Sequence, residues 1–171
     1  EDANRGEALL AGLKVGAATE HTDGGWCIHT MHMPMSKASN FEEIHQAAFD
    51  VGRPHSVCVN RNGERFVDEA CSYDEFGAAM VADQLKTGAN TPCWLVFDAT
   101  FRDNYTAGGF MPTALMPDWL ISADVWDHYL FKADTLYALA QKIHVPFDTL
   151  KHTVANMNDY AKTGVDPEFG R

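Results

Sequence analysis

The sequence lacks the glycine-rich loops with which many proteins hold nucleotides. Its 171 residues contain no Gly-x-Gly-x-x-Gly and no Gly-x-x-x-x-Gly-Lys-Ser/Thr, so neither a dinucleotide cradle nor a P-loop is predicted. If the function needs a nucleotide cofactor, most of the binding site for that cofactor lies outside these residues.

Positive charge is also scarce, because 13 Lys and Arg stand against 24 Asp and Glu and the formal net charge is -11. An acidic surface repels phosphate backbones, and no basic patch offsets it, so we expect no nucleic-acid partner. No apolar run approaches the roughly 20 residues that span a bilayer, and the N-terminus has no signal-peptide pattern. We therefore expect a soluble, cytoplasmic protein without a membrane span.

The cysteines form no Cys-x-x-Cys pair. In a chain of this length, four scattered cysteines are interpreted as reduced, partly buried thiols and not as a disulfide framework or a zinc site. His29 and His32 stand among methionines and could be imagined as a soft-metal site, but Cys27 is the only carboxylate or thiolate at ligand spacing. Apolar packing is the favoured interpretation, and no metal is expected.

The secondary structure predicted for the first half of the chain begins with a helix. Residues 6–18 place leucines at helical spacing, whereas residues 26–40 show no clean period and predict an irregular connection. Residues 55–69 alternate around an Asn-Gly pair and predict a β-hairpin. Residues 94–99 are a short apolar run that predicts a buried central strand.

Helices dominate the predictions for the second half. One is predicted over residues 73–86, and two more are predicted after caps at Asp134 and Asp148. Residues 106–120 predict a loop with a helical turn, and residues 129–133 predict an edge strand. Because there is no βαβ alternation, we expect an α+β fold, a small, mostly antiparallel sheet covered by helices.

Two residues are candidates for catalysis on their own chemistry. Tyr73 stands at the start of a predicted helix, where a desolvated phenol can relay a proton to or from carbon, although packing explains an aromatic there as well. Arg102 follows the strand predicted at 94–99. Its guanidinium, which is always charged, either binds an anionic oxygen of a ligand or lies at the surface and pairs with Asp98 or Asp103.

Four stretches together resemble one family: VNRNGERFVDE, SYDEFGAAM, WLVFDATFRDNY and the closing run from Lys132 to Arg171. They are similar to the cap, or substrate-binding, domain of FAD-dependent oxidoreductases that include 3-ketosteroid dehydrogenases and soluble fumarate reductases. The closing run is especially close to the steroid-dehydrogenase branch. The first 35 residues resemble more loosely the lead-in from the FAD domain, where the family carries Gly-Asp-Gly and this chain has Asn4-Arg5-Gly6.

The resemblance implies how the chain is organised. Residues 1–40 would be a lead-in from an absent FAD-binding domain, and residues 41–171 would be the cap. In such enzymes the other domain holds most of the FAD, and the cap closes over the flavin with substrate between them. The implied partner is therefore the missing FAD-binding domain, and we expect this chain to be an excised cap that is inactive alone.

The resemblance also implies roles for both candidate residues. Fumarate reductases carry a proton-donating arginine in an FDxxxR pattern, which Arg102 matches, and another arginine at the place that Tyr73 occupies. Steroid dehydrogenases carry a tyrosine there as the base that removes a proton from the substrate. Catalytic roles are thus implied for Tyr73 and Arg102, and Tyr73 favours the steroid branch.

The implied reaction is the α,β-desaturation of a small apolar ketone, with a 3-ketosteroid as the expected substrate. Tyr73 would remove the α-proton and flavin N5 would accept hydride from the β-carbon. The loop after the strand would supply an apolar wall. The candidates for that wall are Phe110, Met111, Leu115, Met116 and Trp119.

Two alternatives stay open. The first is a fumarate-reductase-like enzyme that reduces a small unsaturated carboxylate and would need positive groups such as Arg102 and Arg65. The second is a non-enzymatic α+β module that binds a hydrophobic ligand or a protein. That module should have a sealed fold, whereas an excised cap should expose the surface that met the FAD domain.

Overall fold

The computed structural model describes residues 5–20, 25–33, 43–126 and 128–171. Residues 34–40 of the connection predicted at 26–40, and Asn4 of the Asn4-Arg5-Gly6 lead-in, lie outside the described residues. The helices are α1 (Glu7–Lys14), α2 (Tyr73–Thr87), α3 (Ala99–Asn104), α4 (Leu136–Lys142) and α5 (Phe147–Thr163). The strands are β1 (Thr30–Met33), β2 (Glu43–Gln46), β3 (Ser56–Val59) and β4 (Trp94–Phe97).

The strands form two small antiparallel sheets, one of β1 with β2 and one of β3 with β4. Helices cover the second sheet, so the α+β class predicted from the sequence is confirmed. Short 3₁₀ helices at Ala47–Phe49 and Asp118–Leu120 complete the regular structure of the described residues. None of the helices in this part of the chain is long and apolar enough to cross a membrane.

The main core lies between β3 and the last two helices. Val57 and Val59 of β3 pack with Ala140, Ile143 and Leu150 of the α4–α5 region. Because side chains alternate along a strand, the residue between the two valines, Cys58, faces the other way and packs with the α2 side of the fold. A single sheet of two strands therefore supports helices on both faces.

The hairpin predicted over residues 55–69 is wrong in its second half. β3 forms as predicted, but it pairs with β4. Asn60 explains the difference: its Oδ1 accepts hydrogen bonds from the amides of Asn62 and Glu64, at 3.0 and 3.2 Å. Its Nδ2 donates to Asp83 on α2 at 2.9 Å. These bonds turn the chain toward α2, so it does not return along β3.

Other strand predictions also need correction. β4 forms, but all four of its residues are only half-buried and its sheet has two strands, so it is not a buried central strand. Residues 129–133 form no strand and contribute only the bridge between Trp126 and Leu130. Residues 30–33, predicted to be irregular, form β1 because β2 pairs with them.

The predicted helices all form, with small changes at their ends. α2 begins at Tyr73 and ends before Gly88, as expected. α4 is capped by Thr135, whose Oγ1 accepts the Ala138 amide at 3.1 Å, and not by Asp134. α5 begins one residue earlier than its predicted cap, so Asp148 lies in the first turn, where a carboxylate is favoured by the helix dipole.

α1 forms from the leucine-rich stretch, but none of its side chains is buried. Leu9 and Leu10 are more than half exposed, at 54% and 55%. An amphipathic helix usually gains its stability by burying its apolar side. The apolar side of α1 has no such cover within the described residues.

Candidate functional site

Tyr73 is the first residue of α2, and its neighbours fix the start of that helix. The Ser72 Oγ accepts the Glu75 amide at 3.2 Å, and the Glu75 carboxylate accepts the Ser72 amide at 3.2 Å. This capping box satisfies two amides that a helix start leaves unpaired. The Tyr73 side chain is 38% exposed, and among the described residues its hydroxyl has no hydrogen bond. The phenol is therefore open to a ligand.

The segment 25–29 lies against the first two turns of α2. The Trp26 and Tyr73 rings stack, with centroids 6.2 Å apart and planes 12° apart. The Cys27 amide donates to the Asp74 Oδ1 at 3.1 Å. A Cβ at Gly77 would lie 2.8 Å from the Cys27 Cβ, so only glycine lets the segment come this close. Trp26 thus covers one side of Tyr73 with an apolar ring.

His29 connects this helix start to the neighbouring 3₁₀ helix. Its ring centroid lies 4.1 Å from that of Phe76, and its carbonyl accepts the Ala47 amide at 3.1 Å. Burial lowers the pKa of His29, while the nearby backbone groups of Ala47 and Tyr73 act in the opposite direction. Ala47 of the 3₁₀ helix and the Tyr73 backbone therefore both lie close to His29. Phe49 of the same 3₁₀ helix is 77% exposed.

The loop before α2 is anchored by a buried network of ions. The Glu69 carboxylate accepts hydrogen bonds from Arg65 at 2.9 Å, from Arg171 at 3.2 Å and from the Cys58 amide at 3.1 Å. Arg65 also donates to Asp166 at 2.9 Å. Burial disfavours the charge of Arg65, but its bonds to Glu69 and Asp166 outweigh burial and raise its pKa. Arg65 is therefore charged, buried and already paired.

Arg102 lies on α3 and directs its guanidinium at residues 106–120, which we name the lid loop. Its Nη1 donates to the Met111 carbonyl, and its Nη2 donates to the Met116 carbonyl at 2.7 Å. Its Nε lies 3.3 Å from the Asp118 Oδ1, close enough for an ion pair but not aligned for a hydrogen bond. The catalytic role of Arg102 stays a prediction.

The five predicted wall residues divide into two groups. Met111, Leu115 and Trp119 expose 44%, 69% and 80% of their surface, as expected of side chains that meet a ligand. Phe110 and Met116 are half-buried, and Phe110 packs against Tyr129, with ring centroids 6.2 Å apart. Within the described residues, the ring that stacks on Tyr73 is that of Trp26 and not one from this wall.

Met111 and Leu115 line a cavity of about 450 Å³ together with Phe49 and Arg53. A larger cavity, of about 790 Å³, lies between β1, β4 and residues 126–133. The larger cavity is lined by Arg102, but not by Tyr73 or any of the five wall residues. Tyr73 does not line the smaller cavity either. We take the smaller cavity as the candidate substrate site because two of the predicted wall residues, Met111 and Leu115, line it.

A polar pair stands in the wall of the smaller cavity. The His45 Nε2 lies 2.6 Å from the Asp50 Oδ2, and Asp50 is 1% exposed. Burial raises the pKa of Asp50, and the hydrogen bond with His45 opposes this effect. The pair gives a wall of mixed polar and apolar residues one oriented imidazole.

Sequence reasoning did not single out Phe49, His45, Asp50 or Trp26. His45 lies on β2, Phe49 ends the 3₁₀ helix after it, and Asp50 is the next residue; no periodicity indicates these elements. The soft-metal site imagined at His29 and His32 includes the methionines up to Met35, which lies outside the described residues. In the part of the chain that the structure covers, no three His, Cys, Asp or Glu side chains form a group suited to a metal ion.

Comparison with protein families gives one match, to the model of the FAD binding domain, over residues 2–171. The chain is also similar to curated proteins. It is 35% identical to the 3-oxosteroid 1-dehydrogenase of Mycolicibacterium smegmatis, covering 99% of this chain and 28% of that protein. It is 30% identical to the 4-oxocyclohexanecarboxylate 2-dehydrogenase of Sinomonas cyclohexanicum, covering 98% and 28%.

A solved structure has the same fold over almost the whole chain. It is the 3-ketosteroid delta1-dehydrogenase of Sterolibacterium denitrificans in complex with 1,4-androstadiene-3,17-dione, 33% identical with a TM-score of 0.80. The match covers 99% of this chain and 29% of that one. The chain thus spans less than a third of the length of these relatives.

Proposed function

The chain belongs to the family of FAD-binding domains whose model it matches over residues 2–171, and on that premise we propose that it is the substrate-binding cap of a longer flavoprotein. The reaction we propose is the α,β-desaturation of an apolar ketone, with a 3-ketosteroid as the substrate class. Residues 1–40 would lead in from the FAD-binding part, and residues 41–171 would form the cap. The chain alone would be inactive.

One observation carries the proposal: an open phenol at a rigid helix start. Tyr73 is presented by a capping box, stacked on one side by Trp26, and has no hydrogen bond from its hydroxyl within the described residues. A base that takes a proton from carbon must reach the substrate in a fixed orientation and in a partly dry environment. The capping box supports the first condition for Tyr73, and the Trp26 ring supports the second.

The chemistry asked of Tyr73 is the removal of one proton. The carbonyl of a ketone acidifies the neighbouring carbon, and the Tyr73 oxygen, when deprotonated, accepts the proton from it. Flavin, when bound, accepts the hydride from the next carbon. The names of both curated relatives support loss of the proton next to the carbonyl and of the hydride one carbon further on. In each name, the position that is dehydrogenated is two carbons away from the carbon that bears the oxo group.

The described residues fit one side of a flavin site and not the whole of it. Trp26, 82% exposed, and Tyr73 offer an aromatic surface that suits a flat ring system. The uncovered apolar side of α1 suits contact with a further domain. The sequence has no glycine-rich nucleotide loop, so the rest of the protein would hold most of the FAD.

A fumarate-reductase-like activity is less well supported by the charges. A small dicarboxylate needs several free positive groups around it. Arg65 is already paired with Glu69 and Asp166, and Arg102 donates to two loop carbonyls. A non-enzymatic module is also less well supported, since both curated relatives named above are dehydrogenases.

The flavin itself reports on the proposed function. The full-length flavoprotein that carries this chain is mixed anaerobically with a 3-ketosteroid, and the absorbance of oxidised flavin is followed. We expect the ketone to bleach the oxidised flavin. In a second sample, whose flavin has been reduced beforehand, we expect fumarate to leave the flavin reduced. Rapid reoxidation by fumarate, with no bleaching by ketones, would favour the reductase instead.

A further inference from the structure

Arg102 and its neighbour tie the end of α3 to several points along the lid loop. The guanidinium donates to the carbonyls of Met111 and Met116. The Arg102 carbonyl accepts the Thr113 amide at 3.2 Å, and the Asp103 carboxylate accepts the Thr113 hydroxyl. The loop is therefore held from residue 111 to residue 116 by the last residues of one short helix.

The far end of the lid loop is held through Asp118. One oxygen of its carboxylate lies 3.3 Å from the Arg102 Nε, and the other accepts the Lys132 Nζ at 2.7 Å. Asp118 thus balances the charge of Arg102, which is only 8% exposed, and links the lid loop to the chain before α4. A buried guanidinium without such an acceptor would be costly.

Other contacts also hold the lid loop: the Tyr129 hydroxyl donates to the Gly108 carbonyl at 2.9 Å, and Phe110 packs against Tyr129. The Pro112 carbonyl also accepts the Leu115 and Met116 amides, at 2.8 and 2.9 Å, within the lid loop. Its described regular structure is the 3₁₀ turn at Asp118–Leu120 and one bridge between Ala107 and Phe110. Leu115 and Trp119 are mostly exposed, so their burial contributes little. A loop with few buried contacts depends on its hydrogen bonds for a fixed conformation.

We propose that Arg102 is a positioning residue that holds the lid loop in the shape that receives the apolar body of the substrate. It acts through Met111 and Leu115, which line the smaller cavity, and it does not donate a proton. This inference rests on the proposed function for its substrate and replaces the proton-donating role that the family resemblance implies for Arg102.

The geometry favours positioning because each nitrogen of the Arg102 guanidinium faces an acceptor of the lid loop. Nη1 and Nη2 donate to the carbonyls of Met111 and Met116, and Nε faces the Asp118 carboxylate. A proton donor must instead direct a hydrogen at the reacting carbon. The planar guanidinium spreads its donors over two carbonyls and a carboxylate, whereas the lysine ammonium is one compact group, so lysine should replace Arg102 only in part.

The test compares Arg102→Gln and Arg102→Lys in the full-length flavoprotein, with Lys162→Met as the control. Lys162 is exposed on α5 and pairs with Asp159 of the same helix, so its replacement removes one positive charge without removing a hydrogen bond given above for the lid loop. In Arg102→Gln we expect KM for a 3-ketosteroid to rise about tenfold, equivalent to about 1.4 kcal/mol. We expect the kcat of Arg102→Gln to stay within about threefold of the wild-type value. Arg102→Lys should have an intermediate KM, and Lys162→Met should keep the wild-type KM and kcat.

Amide hydrogen exchange gives a second readout that does not depend on turnover. Arg102→Gln should speed exchange in residues 111–120 and leave α2 unchanged. A fall in kcat of about 100-fold or more with KM and loop exchange unchanged would instead identify a proton donor and overturn the proposal. If the wild-type protein converts no ketone, the proposed function fails, while unchanged loop exchange in Arg102→Gln still overturns the positioning role.

Discussion

The ring of Trp26 lies nearly parallel to the ring of Tyr73, 12° from it, with centroids 6.2 Å apart. Trp26 comes from the segment before β1, and Tyr73 begins α2, 47 positions later in the chain. The pair is locked by a hydrogen bond from the Cys27 amide to Asp74. An element outside α2 thus decides how the proposed base is oriented and how much water reaches one side of it.

Removing the Trp26 ring should lower activity without unfolding the protein. In the full-length flavoprotein, we expect Trp26→Ala to lower kcat/KM by about tenfold or more, because small displacements of a catalytic group are costly. Trp26→Phe keeps an aromatic ring and should lose much less. Steady-state kinetics at equal flavin content make the comparison. Equal losses in both variants would show that stacking is not what matters.

The capping box at Ser72 should contribute measurably to stability. Ser72→Ala removes the acceptor for the Glu75 amide, so we expect the free energy of unfolding of this chain to fall by about 1 kcal/mol. Ser72→Thr keeps a hydroxyl and should fall by less. Urea unfolding followed by circular dichroism gives both values. Identical stabilities for the alanine variant and the wild type would mean that the box does not hold the start of α2.

The buried ion network should give a stability loss in acid. Burial would raise the pKa of Asp166, but hydrogen bonds from Arg65 and from the amides of Glu168 and Phe169 outweigh it and lower the pKa to about 2. A carboxyl whose pKa is depressed in the folded state stabilises the fold above its unfolded pKa of 3.8. That stabilisation should disappear as the pH falls from about 4 to about 2.

Asp166→Asn isolates this contribution, because other carboxylates titrate in the same range. Thermal melting of the two proteins is compared from about pH 6 to about pH 2, and the difference between their melting temperatures is plotted. We expect the wild type to be the more stable at the upper end and the difference to shrink in acid. A difference that stays constant with pH would contradict the assigned role of Asp166.

Local patterns in the sequence predicted four of the five helices of the described residues, and α3 was not predicted. Asp74 and Glu75 in the first turn and Gly88 at the end mark the Tyr73–Thr87 helix in the sequence, and the structure has the helix between them. Leucine spacing was enough for α1 as well, but spacing could not show that its apolar side would be left uncovered. That depends on what packs against it.

Strand pairing could not be predicted in the same way. The turn signal at Asn62-Gly63 suggested a hairpin, but the side chain of Asn60 bonds to Asp83, 23 positions away, and the strand pairs with residues 94–97 instead. β1 and β2 are separated by residues without periodicity, so local patterns predict neither. The partners of a strand are set by contacts that are distant in sequence.

In the candidate site too, local sequence patterns predict some residues and not others. Tyr73 is predictable because it stands in a recognisable motif at a helix start. Phe49 and His45 carry no local signal, and only the fold brings them to the wall of Met111 and Leu115. Arg102 is also predictable as a candidate, but its contacts with two loop carbonyls could not be inferred from its position after a strand.

Tyr73 as the base is the central claim, and Tyr73→Phe tests it most directly. The full-length flavoprotein with and without this change is mixed anaerobically with a 3-ketosteroid in a stopped-flow instrument, and the rate of flavin reduction is measured. The substitution keeps the ring that stacks on Trp26 and removes only the hydroxyl. We predict a rate lower by about 100-fold to 10,000-fold, with flavin bound and ketone binding retained. A rate close to that of the wild type would contradict the account.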